Sequence, residues 1–248
     1  MQSQIYDSLV NAKLAGRKML AVLIDPDHLE QIETSVAICN AKGVDILFLG
    51  GSLVSSGTIG EAIERIKKVS EIPVVLFPGD ELQIDGRADA LLLLSLISGR
   101  NPELLIGKHV VAAPYIKRSG LEAISTGYML VDGGRLTTAS YMSGTLPIPA
   151  DKPEIAQCTA IAGELLGLKL MYLDAGSGAQ KPVSSEMIKA VSKSIEVPLV
   201  VGGGIRTAAD AANAWLSGAD IVVVGNAVEK DAQLITELTN ALQQLQAL

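Results

Sequence analysis

Residues 197–227 read VPLVVGGGIRTAADAANAWLSGADIVVVGNA: two short apolar runs, each ending in glycine, with a helical stretch of small residues between them. Neither run alternates apolar with polar positions as a strand with one wet face would. Continuous Val, Ile and Leu belong to strands buried on both faces, the condition of parallel strands covered by helices. A strand, a crossover helix and a second parallel strand make one right-handed unit. The fold is decided by how often that unit recurs.

It recurs along the whole chain. Strand-like runs stand at 19–25 (MLAVLID), 45–51 (DILFLGG), 72–79 (IPVVLFPG), 88–95 (ADALLLLS), 127–134 (GYMLVDGG), 168–178 (LKLMYLDAGSG), 197–204 and 219–227. Helical stretches occupy 28–43, 58–71, 101–108, 153–167, 184–196, 208–218 and 231–246. An open doubly wound sheet produces the same local signals. Eight units in 248 residues nevertheless match a (β/α)8 TIM barrel, an α/β fold, and residues 1–248 are expected to form one domain around one large core. The middle is expected to be modified, because residues 114–153 are rich in Gly, Ser, Thr and Pro around a single strand-like run. Apolar helix faces such as 208–218 leave room for a homo-oligomer, although the lone Trp215 reads as core.

Composition narrows the partners. A formal charge of −7 and a pI near 4.9 provide no basic field for nucleic acid or anionic lipid. Mean hydropathy is high at +0.36, but the longest apolar run, 88–98, falls short of the roughly 20 residues of a membrane span. Residues 1–20 are amphipathic and lack the apolar core of a signal peptide. Cys39 and Cys158 lie in helical stretches without CxxC spacing, so a cytoplasmic setting is expected. His28 and His109 are isolated from one another and read as surface or packed residues. No strand ends in a lysine suited to a Schiff base, and no HxxxH, HxH or GxSxG is present.

In a parallel barrel the chemistry collects at the C-terminal ends of the strands. Those ends read Asp25, Gly50-Gly51-Ser52, Gly79-Asp80, Asp174 to Gly178, Gly202 to Gly204, and Gly225-Asn226. Glycine-rich turns follow strands six, seven and eight in succession, and their N–H groups suit a phosphate. Asp25 is expected to point into the barrel mouth, where it and Ser52 form a plausible open magnesium site; pairing with a cation is the other reading. Asp27 is read as the cap of the following helix.

Taken together, LIDPD (23–27), GGS (50–52), YLDAGSGA (172–179), VGGGIRT (201–207) and VGNAVE (224–229), with PIPADKPEIA (147–156), resemble the geranylgeranylglyceryl phosphate synthase family, including bacterial members related to heptaprenylglyceryl phosphate synthase. The resemblance implies alkylation of sn-glycerol 1-phosphate by a polyprenyl diphosphate, geranylgeranyl diphosphate being preferred, with release of diphosphate and a requirement for magnesium. It places magnesium on Asp25 and Ser52. It places glycerol phosphate on Tyr172, Leu173, Asp174, Ala175, Gly176, Ser177, Gly178, Gly203, Gly204, Gly225 and Asn226. Asp174 would take the proton of the attacking hydroxyl, yet many relatives carry Glu there, and one methylene less shortens the reach by about 1.5 Å. Two other readings stay open at this point: an isomerase or lyase acting on a phosphorylated sugar, and a barrel that binds a phosphometabolite without catalysis.

Overall fold

The computed structural model describes residues 4–55, 58–231 and 233–247. The first three residues of the amphipathic N-terminal stretch, and Ala232 in the last predicted helix, lie outside them. Eight parallel strands close into a barrel in chain order: β1 (Met19–Ile24), β2 (Ile46–Leu49), β3 (Val74–Leu76), β4 (Ala90–Leu96), β5 (Glu122–Leu130), β6 (Leu170–Asp174), β7 (Leu199–Gly202) and β8 (Ile221–Val224). The helices are α1 (Gln4–Leu14), α2 (Ile32–Lys42), α3 (Ile59–Val69), α4 (Lys108–Ser119), α5 (Thr138–Ser143), α6 (Pro153–Leu165), α7 (Ser185–Ser192), α8 (Ala208–Leu216), α9 (Asn226–Lys230) and α10 (Gln233–Gln246).

Successive side chains of a strand point to opposite faces, and the apolar runs therefore build two cores. Ala21, Val75, Leu92, Tyr172, Val200 and Val223 fill the barrel interior, whereas Leu20, Leu76, Leu173, Val201 and Val222 pack outward against the helices. Trp215 belongs to the outer core, only 1% exposed, and donates its indole N–H to the carbonyl of Met19 at 3.0 Å. Leu9 and Ala12 of α1 join the inner core and close the barrel floor.

The middle region departs from the sequence reading. Residues 114–119 are not loop but the end of α4, which carries Pro114 inside it. Proline lacks the N–H of one intrahelical bond and ordinarily breaks a helix; here Ala112 and Ile116 are buried on either side of it and hold the helix in place. The predicted helix at 101–108 is instead a single π turn, Glu103–Gly107, that leads into α4. The fifth strand begins five residues earlier than the apolar run at 127, because Glu122, Ile124 and Thr126 face inward in a stretch whose polar residues read as loop. Glu122 is buried for a reason: its carboxylate accepts the N–H groups of Ile5 and Tyr6 at 2.8 and 2.9 Å, capping α1 on the barrel floor. Leaving such donors without a partner costs about 1–3 kcal/mol. Glu122→Ala is expected to lower the unfolding free energy by about that amount in denaturant titration, with the midpoint falling and the slope unchanged.

Candidate active site

The C-terminal ends of β6, β7 and β8 bring the predicted phosphate turns together. Leu170, Tyr172 and Asp174 share the inner face of β6 by its period of two, so Asp174 points into the barrel at the very end of the strand. It is only 7% exposed. Its Oδ1 accepts the N–H of Gly176 at 2.7 Å and its Oδ2 accepts the hydroxyl of Tyr128 at 2.5 Å. Burial pushes the Asp174 carboxyl above the ordinary carboxylate range, and those two donors pull the other way. Tyr128 and Tyr172 are held well above the usual phenol range, chiefly by burial and then by the nearby Asp174.

Gly203 shows how tightly the turns meet. With φ at +78°, an added Cβ would stand 2.4 Å from the N of Gly176 and 2.5 Å from Oδ1 of Asp174. No other residue fits there. Gly225 is less crowded: the nearest atoms to a Cβ there belong to Leu23, at an ordinary 3.4 to 3.5 Å. Ser177 donates its hydroxyl to Oδ1 of Asn226 at 2.8 Å and ties the β6 turn to the β8 turn. Arg206 adds a bond from its guanidinium to the carbonyl of Ala179 at 2.6 Å. Gly176, Gly178 and Gly204 take positive φ in the same cluster. Leu173 and Ala175 turn their side chains into the outer core, so only their backbone faces the turns.

Beside β8 in the barrel, Asp25 directly follows β1 and its Oδ1 accepts the N–H of Asp27 at 2.9 Å. Among the described residues its Oδ2 accepts no hydrogen bond. A Cβ placed on Gly51 would lie 4.0 Å from both Asp25 oxygens, which sets Asp25 beside the Gly51-Ser52 turn as expected. Asp27 does not cap a helix. Its carboxylate accepts the N–H and hydroxyl of Ser55 instead, and His28 holds the N-cap position without a side-chain capping hydrogen bond. His109 is packed, with Nε2 2.8 Å from the carbonyl of Leu94, and His28 is exposed. Cys39 is buried, its thiol pushed up to about 12 by burial, and Cys158 is exposed.

Two cavities open at this end. The smaller, about 320 Å³, is lined by Asp25, His28 and Asn226 among others. The larger, about 500 Å³, starts at Gly51, Ser52 and Gly79 and runs between β4 and α4 past Leu92, Leu94, Leu104, Ala112 and Ile116. Its origin lies in β3, which has only three residues and pairs with β4 at Val75–Ala90 and Leu76–Leu91. β4 runs on past it, and a three-residue 3-10 turn, Glu81–Gln83, stands where the other units place a helix. The barrel is closed, but its helical cover is therefore thin over β3 and β4, with the Lys108–Asp80 ion pair (2.9 Å) at the edge and the carbonyl of Leu94 satisfied by His109.

Tyr128 and Phe77 line this larger cavity, and sequence reasoning passes over both because each sits in a run that reads as buried strand. The signal lies in register: Tyr128 pairs with Tyr172 and Leu130 with Asp174, so the inner faces of β5 and β6 carry an acid and two tyrosines side by side. Phe77 stacks on Tyr172 at 5.3 Å, and Tyr128 meets both rings edge-on at 5.7 and 5.4 Å.

Comparison with known proteins places this arrangement. The model of the PcrB family matches residues 14–242. The chain is 53% identical to the geranylgeranylglyceryl phosphate synthase of Chitinophaga pinensis over 98% of this chain and 97% of that one. It is 44% identical to the protein of the same name from Thermococcus gammatolerans, covering 89% and 88%. A crystal structure of (S)-3-O-geranylgeranylglyceryl phosphate synthase from Thermoplasma acidophilum, in complex with sn-glycerol-1-phosphate, superposes with a TM-score of 0.91 at 27% identity over the whole of both chains. A family match over most of the chain, and relatives this similar along nearly its full length, establish that the chain belongs to the PcrB family.

Proposed function

We propose that this chain joins a polyprenyl group, donated as its diphosphate, to the far hydroxyl of sn-glycerol 1-phosphate, forming an ether and releasing diphosphate. The observation that carries the reading is an adjacency. A cluster of glycine turns, a buried carboxylate and a 500 Å³ apolar cavity meet at one end of the barrel. A cavity of that size, mostly apolar with a few convergent polar groups, suits a hydrocarbon chain. The two relatives named above, and the glycerol phosphate complex, point the same way.

In this reading the backbone from Tyr172 to Gly178, with Gly203, Gly204, Gly225 and Asn226, holds the phosphate and glycerol, while Asp174 accepts the proton of the attacking oxygen. The prenyl chain lies in the cavity between β4 and α4. Asp25 and Ser52 fit a divalent cation: one carboxylate oxygen without a protein partner among the described residues stands beside a turn that carries a hydroxyl. We assign them to magnesium, which completes its shell with phosphate oxygens and water and would supply charge neutralisation for the departing diphosphate. A phosphosugar isomerase would have no use for the apolar cavity. Residues 1–248 would act as one unit, in the cytoplasm, and no described helix is long and apolar enough to cross a membrane. A homo-oligomer belongs to the same proposal, supported by Val110, Val111 and Tyr115 standing exposed on α4. Sedimentation at the mass of one chain would remove that part.

The experiment combines the protein with glycerol 1-phosphate, magnesium and prenyl diphosphates of increasing length, and identifies the product by mass. An ether product from at least one donor is expected; none from any donor would overturn the reading.

Gly225 separates binding from folding. Since the nearest atoms to a Cβ there lie at an ordinary 3.4 Å, Gly225→Ala is expected to keep the fold, which thermal denaturation checks, yet weaken glycerol phosphate by crowding the cradle. Calorimetry should show an affinity loss of about tenfold or more, some 1.4 kcal/mol. Gly203→Val, by contrast, would collide with Asp174 and Gly176 and is expected to destabilise the turns themselves.

A further inference from the structure

Both oxygens of Asp174 are occupied by protein donors, and Asp174 does not line the apolar cavity in which a prenyl donor would lie. Tyr128 does line it, and the Tyr128 hydroxyl also donates to Oδ2 of Asp174 at 2.5 Å. Tyr128 is therefore a residue that both lines that cavity and bonds the acid. We propose that Tyr128 is a catalytic residue: its oxygen receives the proton of the attacking hydroxyl while its own proton passes to Asp174.

This inference rests on the proposed prenyl transfer and on Asp174 as its proton acceptor. The balance is simple. The acceptor O–H bond breaks and its proton joins Oη of Tyr128; the Tyr128 O–H bond breaks and that proton joins Oδ2 of Asp174. The acceptor oxygen forms its bond to the allylic carbon as the bond from that carbon to diphosphate breaks, the electron pair leaving with diphosphate. No free phenolate forms, which agrees with burial holding Tyr128 far above the usual phenol range. Geometry supports the relay in two further ways. The ring of Tyr128 packs edge-on against the stacked pair of Phe77 and Tyr172, with interplanar angles of 71° and 87°, which restricts the aim of its hydroxyl. The acid is also aspartate: a side chain one methylene shorter than glutamate gives up about 1.5 Å of reach, which a phenol bonded to it would make up.

The test is a double-mutant cycle on single-turnover rates, with glycerol phosphate affinity measured for each variant. Tyr128→Phe keeps the ring and its packing, and is expected to slow the step by about 10²-fold, at the low end of proton-transfer contributions. Affinity should stay within about tenfold of the parent. In an Asp174→Glu background the longer acid reaches the hydroxyl itself, and the same substitution should cost far less. The proton inventory in mixed light and heavy water should be curved for the parent, with two protons in flight, and linear for the double variant. Parental rates in Tyr128→Phe alongside an inactive Asp174→Asn would overturn the relay while leaving Asp174 as the base. Parental rates in both would remove the base assignment as well. An equal cost in both backgrounds, or a linear inventory in the parent, would also overturn it.

Discussion

Asp174→Asn is expected to lower turnover about 10²- to 10⁴-fold, the usual contribution of a side chain that accepts a proton in the transition state. Asparagine keeps the size of the side chain and loses its basicity. The carboxylate is 7% exposed and is fixed by Gly176 and Tyr128, so the loss reports chemistry provided that the variant remains folded and binds glycerol phosphate within about tenfold of the parent. If Asp174 only orients its turn by accepting the Gly176 N–H, asparagine can do the same through its amide oxygen and most activity survives. The pH profile adds a second check. Burial raises the Asp174 carboxyl, and the reactive form is the ionised one. Activity should therefore fall as pH drops through that raised value, with the acidic limb above the position of an ordinary carboxylate. In Asp174→Asn that limb should vanish from the residual rate.

Asp25→Ala is the second large effect. Three acids at this end of the barrel are engaged: Asp27 by Ser55, Asp80 by Lys108, and Asp174 by Tyr128 and Gly176. Asp25 keeps an oxygen, Oδ2, that accepts no hydrogen bond among the described residues, and it stands beside the Gly51-Ser52 turn. If it anchors the cation that neutralises diphosphate, its loss removes several kcal/mol of stabilisation, a fall in rate of about 10³-fold at roughly 4 kcal/mol. Glycerol phosphate binding should be nearly intact, because the glycine turns belong to β6, β7 and β8. A readout independent of activity is calorimetric binding of prenyl diphosphate with and without magnesium. The parent should show a magnesium-dependent gain and Asp25→Ala should not. Equal loss of glycerol phosphate binding would point to damaged folding instead.

Legibility in the sequence follows local physics. IVVV at 221–224 and LVV at 199–201 announce buried parallel strands because nothing in them tolerates water. The glycine turns are legible because a backbone in positive φ, as at Gly203, leaves little choice of residue. The start of β5 is not legible: Glu122 and Thr126 look like loop until α1, more than a hundred residues away in sequence, supplies the donors that justify a buried acid. Asp27 reads as a cap for the same reason, its partner Ser55 being 28 residues off. The large cavity is invisible in any single segment, since it arises from the shortness of β3 and from the missing helix between β3 and β4. Tyr128 and Asp174, 46 residues apart, become a pair only through the β5–β6 register.

The central claim is that the hydroxyl of glycerol phosphate attacks the prenyl carbon. It is tested most directly with glycerol 1-phosphate carrying a heavy oxygen isotope in its far hydroxyl, incubated with prenyl diphosphate and magnesium, followed by mass analysis of both products. The expected result is an ether that retains the heavy oxygen in full and a diphosphate that carries none. Heavy oxygen lost from the ether, or prenyl alcohol and diphosphate formed without any ether, would contradict it.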